Sequence, residues 1–207
     1  MSGSLNGSLR DWFGGIDIYL FDQLLRNRIR PGMSILDAGC GSGRNLVYFL
    51  RSGFAVHAVD ESPEAIAAVR ALAGRPAPSL APDNFRMEPV EALSFTDQSF
   101  DAVLSSAVLH FARDEHQFHA MLREMWRVLR PGGLLFARLA SSIGIEGLVQ
   151  PLGGRRYRLP DGSDRFLVDE AMLLSITTEL GGSLADPIKT TNVQNLRCMT
   201  TWCLFKA

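Results

Sequence analysis

The sequence LDAGCGSGRN, residues 36–45, places three glycines at alternate positions between an apolar run and a predicted helix. The run MSILDA (33–38) is typical of a short buried strand, and residues 43–53 have the apolar spacing of a helix that ends at a glycine. Glycines in such a turn let the backbone approach a ligand closely. Ligands of open α/β sheets bind at the carboxyl ends of the strands, so this turn predicts a nucleotide-like ligand.

Strand-like and helix-like segments alternate along most of the chain. This alternation predicts parallel strands joined by helical crossovers, and therefore an α/β sandwich. The last two predicted strands, 186–193 and 198–206, have no helix-length segment between them, so they must pair antiparallel. The other predicted strands are 54–60, 84–90, 100–109 and 134–140, and the other predicted helices are 16–30, 63–74, 115–130 and 168–180.

A length of 207 residues predicts one domain with a short appendage. Residues 1–32 are interpreted as an N-terminal helical lid or cap segment, and residues 33–207 as the main domain. Within that domain, residues 141–167 are rich in glycine, proline and arginine and contain a predicted hairpin at 158–166.

Composition argues against several classes of protein. The formal net charge is -1, whereas nucleic-acid-binding proteins usually carry a basic excess, so the charge argues against a nucleic-acid partner. The three cysteines, 40, 198 and 203, form no CxxC pair and are interpreted as reduced thiols of a cytoplasmic protein. No apolar run is long enough to span a membrane, and the oligomeric state is left open.

Asp60 lies at the end of the second predicted strand, 23 positions after Asp37. An acid about 20 residues beyond a glycine turn can accept hydrogen bonds from a ribose diol, although it can also cap the helix that begins at Ser62-Pro63. The glycine spacing here is GxGxG, not the GxGxxG of dinucleotide-binding proteins. Together these features predict an adenosine-type cofactor.

Four segments resemble the class I S-adenosylmethionine-dependent methyltransferases. DAGCGSG (37–43) resembles their first motif, and VDESPEAI (59–66) resembles their second strand and following helix. SFDAVLSSAVLHF (99–111) and VLRPGGLLFA (128–137) resemble their fourth and fifth strands. The four occur in the family's order and spacing and cover about residues 33–140.

The resemblance implies a fold and a group of enzymes. The implied fold is a Rossmann-like three-layer α/β/α sandwich, with a seven-stranded, mostly parallel sheet whose last strand is antiparallel. The N-terminal helix and the GRNLVYFL spacing (43–50) look most like the small tellurite- and thiopurine-type enzymes, which act on small molecules. In such folds the segment corresponding to 141–167 covers the substrate pocket.

The resemblance also implies the residues that bind the cofactor. Asp60 would bind the ribose hydroxyls, and Arg44 either pairs with the methionine carboxylate or faces solvent. Where the family often has an acid for the adenine amino group this chain has Pro89, so either Glu88 or Glu91 substitutes for it, or the adenine is recognised only by backbone and packing. The full predicted set for S-adenosylmethionine is Asp37, Ala38, Gly39, Cys40, Gly41, Gly43, Arg44, Asp60, Glu61, Ser62, Glu88, Pro89, Val90, Ser105 and Ser106.

His110 and Tyr157 are the candidate catalytic residues. The cofactor carries its methyl group on a sulfonium, so the enzyme must mainly align the acceptor in line with that carbon and exclude water. His110 follows the fourth strand and is a candidate general base for an acceptor that is protonated at the working pH, or else a structural histidine. Tyr157 is a candidate for stacking against the acceptor.

Each candidate substrate-binding residue has both a functional and a structural interpretation. Arg155, Arg156 and Arg158 would bind a carboxylate or phosphate, or form a solvated hairpin. Trp12 and Tyr19 would form a lid, or bury the first helix on the sheet. His116 and His119 lie three apart on a helix but lack a third ligand, so no metal site is predicted.

The sequence therefore predicts a methyltransferase that transfers a methyl group from S-adenosylmethionine to a small molecule by in-line displacement. Two alternatives remain open: an RNA or protein methyltransferase that uses a partner, and a non-catalytic S-adenosylmethionine-binding protein. A nicotinamide-dependent oxidoreductase is disfavoured by the glycine spacing.

Overall fold

A computed structural model describes residues 7–207, so the first six residues of the predicted lid segment lie outside the described residues. The main sheet has the strand order β10-β11-β5-β4-β1-β2-β3, with β9 pairing on β11. The strands are β1 Ser34–Ala38, β2 Ala55–Asp60, β3 Phe85–Met87, β4 Phe100–Ser106, β5 Leu129–Ser141, β6 Gln150–Gly153, β7 Arg156–Arg158, β8 Asp164–Phe166, β9 Gly182–Leu184, β10 Lys189–Val193 and β11 Arg197–Lys206.

Five strands, β1 to β5, run parallel, and the last strand is antiparallel to both of its long neighbours. The predicted seven-stranded sheet with an antiparallel last strand is confirmed, with the short strand β9 added at its edge. The carboxyl ends of β1, β2 and β4 therefore lie side by side.

Helices cover both faces of the sheet. Alternate residues of β1 enter different cores: Leu36 packs with α5 and α6, and Ile35 packs with α2, α3 and α4. This arrangement is the predicted three-layer sandwich. The helices are α1 Leu9–Phe13, α2 Ile18–Leu25, α3 Val47–Arg51, α4 Pro63–Ala73, α5 Glu115–Val128 and α6 Glu170–Glu179.

Capping residues explain where the well-formed helices begin. Ser62 accepts from the Ala65 N–H and precedes a proline at the first helical position of α4. Asp114 and Asp169 cap α5 and α6 in the same way. These caps fix the helices whose first turns face the carboxyl edge of the sheet.

Several elements differ from the sequence predictions. The helix predicted over 43–53 is only Val47–Arg51, because residues 42–46 form turns after the glycine stretch. The fifth strand begins at Leu129 and not at 134, and its register with β4 shifts in its first residues. The helix α1 and the strand β6 were not predicted, and β6 joins β7 and β8 in a second, three-stranded sheet.

The N-terminal segment packs on the body of the domain. Leu20 of α2 is fully buried, and the ring of Phe13 stacks on Tyr48 with 5.1 Å between centroids. In the 141–167 segment, the predicted hairpin is present as β7 and β8. None of the helices between residues 7 and 207 combines the length and apolar content needed to cross a membrane.

Candidate active site

A cleft of about 550 Å³ lies at the carboxyl ends of β1, β2 and β4. One wall is the glycine stretch, and the other comes from the loop after β3 and from α5. This is the edge at which open α/β sheets bind ligands. The lining residues are Gly39, Cys40, Gly41, Ser42, Arg44, Asn45, Asp60, Glu61, Val90, Glu91, Ser106, Ala107, Val108, Phe111, Ala112, Gln117 and Met121.

The structure brings about half of the predicted cofactor residues to the cleft surface. Those that line it are Gly39, Cys40, Gly41, Arg44, Asp60, Glu61, Val90 and Ser106. The remainder lie behind this surface or beside it: Asp37, Ala38, Gly43, Ser62, Glu88, Pro89 and Ser105.

The three glycines have different structural roles, and all have positive φ. A Cβ atom on Gly39 would lie 2.5 Å from Val108 Cγ2, so the packing of β1 against the loop after β4 excludes a side chain there. A Cβ on Gly43 would lie 3.0 Å from side-chain atoms of α4. Gly41 lines the cleft as Gly39 does, but it is the one of these three glycines at which a side chain would meet open space.

Asp60 supports the glycine stretch and still has capacity for a ligand. Its Oδ2 accepts from the Gly41 N–H at 2.8 Å, and its Oδ1 accepts from the Ser62 N–H at 3.0 Å. A carboxylate offers about four acceptor sites, so two backbone bonds leave others free. Asp60 can therefore hold the turn and accept hydrogen bonds from ligand hydroxyls.

Asp37 is a buried acid directly beneath the glycine turn. The residue is 1% exposed, and its Oδ2 has no hydrogen-bond partner among the described residues. Burial raises the pKa of this carboxyl group to about 7, against an ordinary value of 3.8. An unpartnered buried acceptor at this place is suited to a cationic or hydrogen-bonding ligand group.

The opposite wall has a carboxylate that the predictions left as an alternative. Glu91 lines the cleft, and its Oε1 accepts from Gln117 Nε2 at 2.6 Å. Glu88 points elsewhere, since its carboxylate accepts from the Ser94 N–H at 3.3 Å. Of the two acids, Glu91 is thus the one available to a ligand in the cleft.

Arg44 lies where the cleft meets a second cavity of about 350 Å³. Its Nη2 donates to Ser106 Oγ at 2.9 Å and lies 3.8 Å from the buried carboxylate of Asp17. Ala107, the other shared residue, has φ 65°, an uncommon value for a residue with a side chain. The second cavity is lined by Arg44, Ala107, His110, Arg138, Ala140, Leu159, Asp161, Ser163, Arg165, Val193, Arg197 and Met199.

His110 lies in this second cavity and not in the main cleft. The residue is 5% exposed, and its Nδ1 accepts from the backbone N–H of Ala140 at 3.1 Å. A neutral imidazole whose Nδ1 accepts carries its proton on Nε2. His110 therefore offers the cavity a donor N–H, whereas the predicted general base requires a free lone pair.

The hairpin arginines form contacts within the protein. Arg155 pairs with Asp169 at 2.9 Å, and Arg158 pairs with Asp164 at 2.7 Å. Arg156 donates to the carbonyl of Ala112 at 3.2 Å. These three side chains line neither the cleft nor the second cavity.

The aromatic candidates also lie outside both spaces. Tyr157 packs beside Leu159 in a small apolar cluster. Trp12 lies in a shallow surface depression beside Arg51. The hydroxyl of Tyr19 is 2.7 Å from Thr191 Oγ1, and its ring lies under the guanidinium of Arg138. Tyr19 thus supports a wall of the second cavity without forming its surface.

Sequence reasoning missed residues that distant segments bring together. Gln117 and Met121 belong to the face of α5 that meets the cleft, and no motif marks them. Arg138, Arg165 and Arg197 come from β5, β8 and β11. Arg138 could have been noticed, because it is a charged residue in the otherwise apolar predicted strand 134–140. No sequence pattern near it connects it with Arg165 or Arg197.

The chain matches known methyltransferases. A family profile described as a methyltransferase domain matches residues 36–137. Over 120 residues the chain is 39% identical to the ubiquinone biosynthesis O-methyltransferase of Methylocella silvestris, which covers 56% of this chain and 44% of that protein. Over 146 residues it is 32% identical to the malonyl-acyl-carrier-protein O-methyltransferase of Erwinia billingiae, covering 69% and 52%. The chain spans about half the length of these curated relatives.

The similarity in fold covers more of the chain than the sequence match does. The 1,6-didemethyltoxoflavin-N1-methyltransferase of Burkholderia thailandensis, solved with 1,6-didemethyltoxoflavin and S-adenosylhomocysteine, superposes with a TM-score of 0.69. The superposition covers 95% of this chain and 80% of that one at 21% identity, which is evidence of the same fold. The superposition shows that the chain shares the fold of these enzymes, and by its sequence matches the chain belongs to the S-adenosylmethionine-dependent methyltransferase family.

Proposed function

We propose that this chain binds S-adenosylmethionine in the main cleft and transfers its methyl group to a small molecule held in the second cavity. The observation that carries the proposal is the glycine turn whose Gly41 faces open space, linked by a hydrogen bond to Asp60 at the end of the neighbouring strand. This pairing provides a close backbone wall and a ribose acceptor in one cleft. Membership of the family supports the choice of cofactor.

The chain's own residues fit this cofactor. Asp60 has acceptor capacity for the ribose hydroxyls, and Glu91 offers an acceptor to the adenine amino group. In this proposal Arg44, at the cleft wall, pairs with the methionine carboxylate, and the acidic Asp37, buried behind the glycine turn, balances the methionine amino group. When bound, the cofactor supplies a methyl group on a sulfonium sulfur that is already a good leaving group.

The remaining work of the chain is to position the acceptor and exclude water. The two spaces meet at Arg44 and Ala107, so an acceptor in the second cavity reaches the cleft at that junction. A volume of about 350 Å³ suits a small molecule. The curated relatives named above methylate such compounds or a carrier-bound acid by their printed names, which supports a small acceptor.

Calorimetric titration with S-adenosylmethionine, S-adenosylhomocysteine and NADH tests the proposal. Micromolar binding of the first two is expected, with a loss of roughly tenfold or more in Asp60→Ala, which removes a charged acceptor. The control Asp83→Asn changes an exposed carboxylate outside the cleft and should bind as the wild type does. Binding of NADH alone would overturn the proposal.

A transfer assay then tests catalysis. Radiolabelled methyl from S-adenosylmethionine should appear in a member of a panel of thiols, phenols, amines and carboxylic acids. Binding without transfer to any small molecule, with transfer to tRNA or protein in a cell extract, would favour the alternative of a macromolecular acceptor.

The three cysteines are buried free thiols, which supports the proposal of a reducing compartment such as the cytoplasm.

A further inference from the structure

We propose that the second cavity binds a carboxylate or phosphate group of the acceptor through Arg138, Arg165 and Arg197, with the Nε2–H of His110 as a further donor. The inference rests on the proposed function, since it assumes that the acceptor enters this cavity. It assigns the chemical class of that acceptor: a small molecule that carries an anionic group.

The cavity has more positive than negative charge. Four guanidinium groups line it, and the carboxylates that form ion pairs with them among the described residues are those of Asp161 and the buried Asp17. Asp17 is shared by Arg138, at 2.9 Å, and Arg44, at 3.8 Å. The cavity therefore keeps an excess of two positive charges, and an anion is the ligand that such a site attracts.

Two of the arginines have unused capacity. Arg165 forms no ion pair with any residue from 7 to 207, and its Nη1 donates only to the backbone carbonyl of Asp164. Arg197 is 3.7 Å from Asp161, beyond hydrogen-bond distance. A guanidinium has five N–H donors in a fork that matches carboxylate and phosphate oxygens, so these side chains have donors left for a ligand.

The guanidinium groups are also held in place. Arg138 is anchored by Asp17 and lies 5.2 Å from the centroid of the Tyr19 ring. Arg165 lies 4.8 Å from the centroid of the Phe111 ring, at the border with the main cleft. Stacking on aromatic rings reduces the conformational freedom that an arginine loses on binding, and so favours a preorganised site.

His110 adds a neutral donor among these cations. Its Nδ1 is occupied by the Ala140 amide, which is the one hydrogen bond that the ring forms with the described residues. A neutral N–H donor binds an anion without adding a further charge to the repulsion between the arginines. The histidine thus fits a recognition role beside Arg165 and Arg197.

Apart from Ser163, the rest of the lining is apolar. Ala140, Leu159, Val193 and Met199 form this apolar side. An acceptor with an anionic head and a small apolar body would satisfy both sides, since apolar contact provides affinity and the charged contacts provide orientation.

Matched neutral and anionic probes test the inference. The protein, with and without S-adenosylhomocysteine, is titrated by calorimetry with benzoate and benzamide, and with phenyl phosphate and phenol. We expect one or both anions to bind at least about tenfold more tightly than their neutral counterparts. The two anionic arms separate a carboxylate site from a phosphate site.

Variants locate the binding. Arg165→Gln and Arg197→Gln should each weaken anion binding about tenfold, since each removes charged donors, while binding of S-adenosylhomocysteine changes less than about twofold. Arg123→Gln, an exposed arginine of α5 that lines neither space, is the control and should bind the anions normally.

The outcomes separate this inference from the proposed function. Binding of S-adenosylhomocysteine without preference for anions, or equal weakening in Arg123→Gln, overturns the anion site and leaves the methyltransferase proposal standing. Anion binding that depends on Arg165 and Arg197, without binding of S-adenosylhomocysteine, supports the anion site and contradicts the proposed function.

Discussion

Nδ1 of His110 accepts a hydrogen bond from the backbone N–H of Ala140, across 3.1 Å. The bond fixes the neutral ring with its proton on Nε2. Burial, with the charges of Arg165 and Arg197, lowers the pKa of His110 to about 4. At pH 7 the side chain is therefore a neutral donor whose basic nitrogen is already engaged, an arrangement that favours recognition of the acceptor over removal of its proton.

His110→Gln should preserve most of the methyl transfer. A glutamine amide has an oxygen that can accept from Ala140 and an N–H that can donate, but it is not a base at neutral pH. We expect kcat/KM within about fivefold of wild type, whereas loss of a general base costs roughly 10²- to 10⁴-fold. His110→Ala, which leaves the buried amide unpaired, should also lower the free energy of unfolding by about 1–3 kcal/mol.

The stability of the protein should depend on His110 between pH 7 and pH 4. Below its ordinary value of 6.5 the unfolded state binds a proton, whereas the folded state stays neutral down to about 4. Acidification through this range therefore favours unfolding, by roughly 3 kcal/mol in all. Urea unfolding should show this loss in wild type and in the exposed control His116→Gln, and a smaller loss in His110→Gln. Equal losses in all three proteins would contradict the pKa shift.

Gly39 and Gly41 should respond differently to alanine. At Gly39 a Cβ would meet Val108 at 2.5 Å with φ at 82°, so Gly39→Ala should lose about 2–4 kcal/mol of unfolding free energy. At Gly41 the Cβ meets nothing within 4 Å, so only the cost of the left-handed backbone, about 1–2 kcal/mol, is expected.

Gly39→Ala and Gly41→Ala also distinguish an effect on stability from an effect on ligand binding. A methyl group on Gly41 would project from the cleft wall, so Gly41→Ala should weaken binding of S-adenosylhomocysteine about tenfold or more, although the protein stays folded. Urea unfolding and calorimetry on both variants measure the two effects. Normal binding by Gly41→Ala would show that the ligand does not contact this backbone.

Glu91 and Glu88 provide a matched test of adenine recognition. Glu91 lines the cleft, while Glu88 accepts from the Ser94 N–H. Glu91→Gln exchanges a charged acceptor for a neutral amide, so affinity for S-adenosylhomocysteine should fall about five- to tenfold. Glu88→Gln should bind normally in the same titration, and the reverse order would place the adenine contact at Glu88.

The fold was largely predictable because its signals are local. Strand–helix alternation identified the parallel sheet, and the short link between β10 and β11 identified the antiparallel pair. The helix α1 was missed because it has five residues and adjoins a Ser/Gly-rich segment. The strand β6, with the sequence QPLG, was missed because all four of its residues are exposed and show no alternation.

The site was predictable only where a motif identifies it. Gly41 and Asp60 follow from spacing along the chain. Arg165 and Arg197 become neighbours of His110 through tertiary packing, which no pattern in the sequence records. The anion-binding prediction was based on the RRYR run at 155–158, which concentrates arginines in a short segment. The sequence does not show where these side chains point. In the structure they bind Asp169, Asp164 and a backbone carbonyl of the protein.

Asp37→Asn should raise stability at neutral and alkaline pH. The folded state keeps the Asp37 proton up to about pH 7, whereas the unfolded state releases it near 3.8. Raising the pH through this window therefore favours the unfolded chain, by up to about 4 kcal/mol. The unfolding free energy of Asp37→Asn should exceed that of wild type increasingly from pH 4 to pH 8, measured by urea unfolding.

Asp37→Asn should also weaken cofactor binding, because a neutral amide cannot balance a cationic group beneath the glycine turn. Asp83→Asn, at an exposed position, is the control for replacing a carboxylate by an amide, and it should change neither the unfolding free energy nor the affinity for the cofactor. A gain in stability with a loss of affinity would mean that the buried acid is retained for its ligand at the expense of the fold. A stability difference that does not change with pH would contradict the raised pKa, and unchanged affinity would remove Asp37 from the binding site.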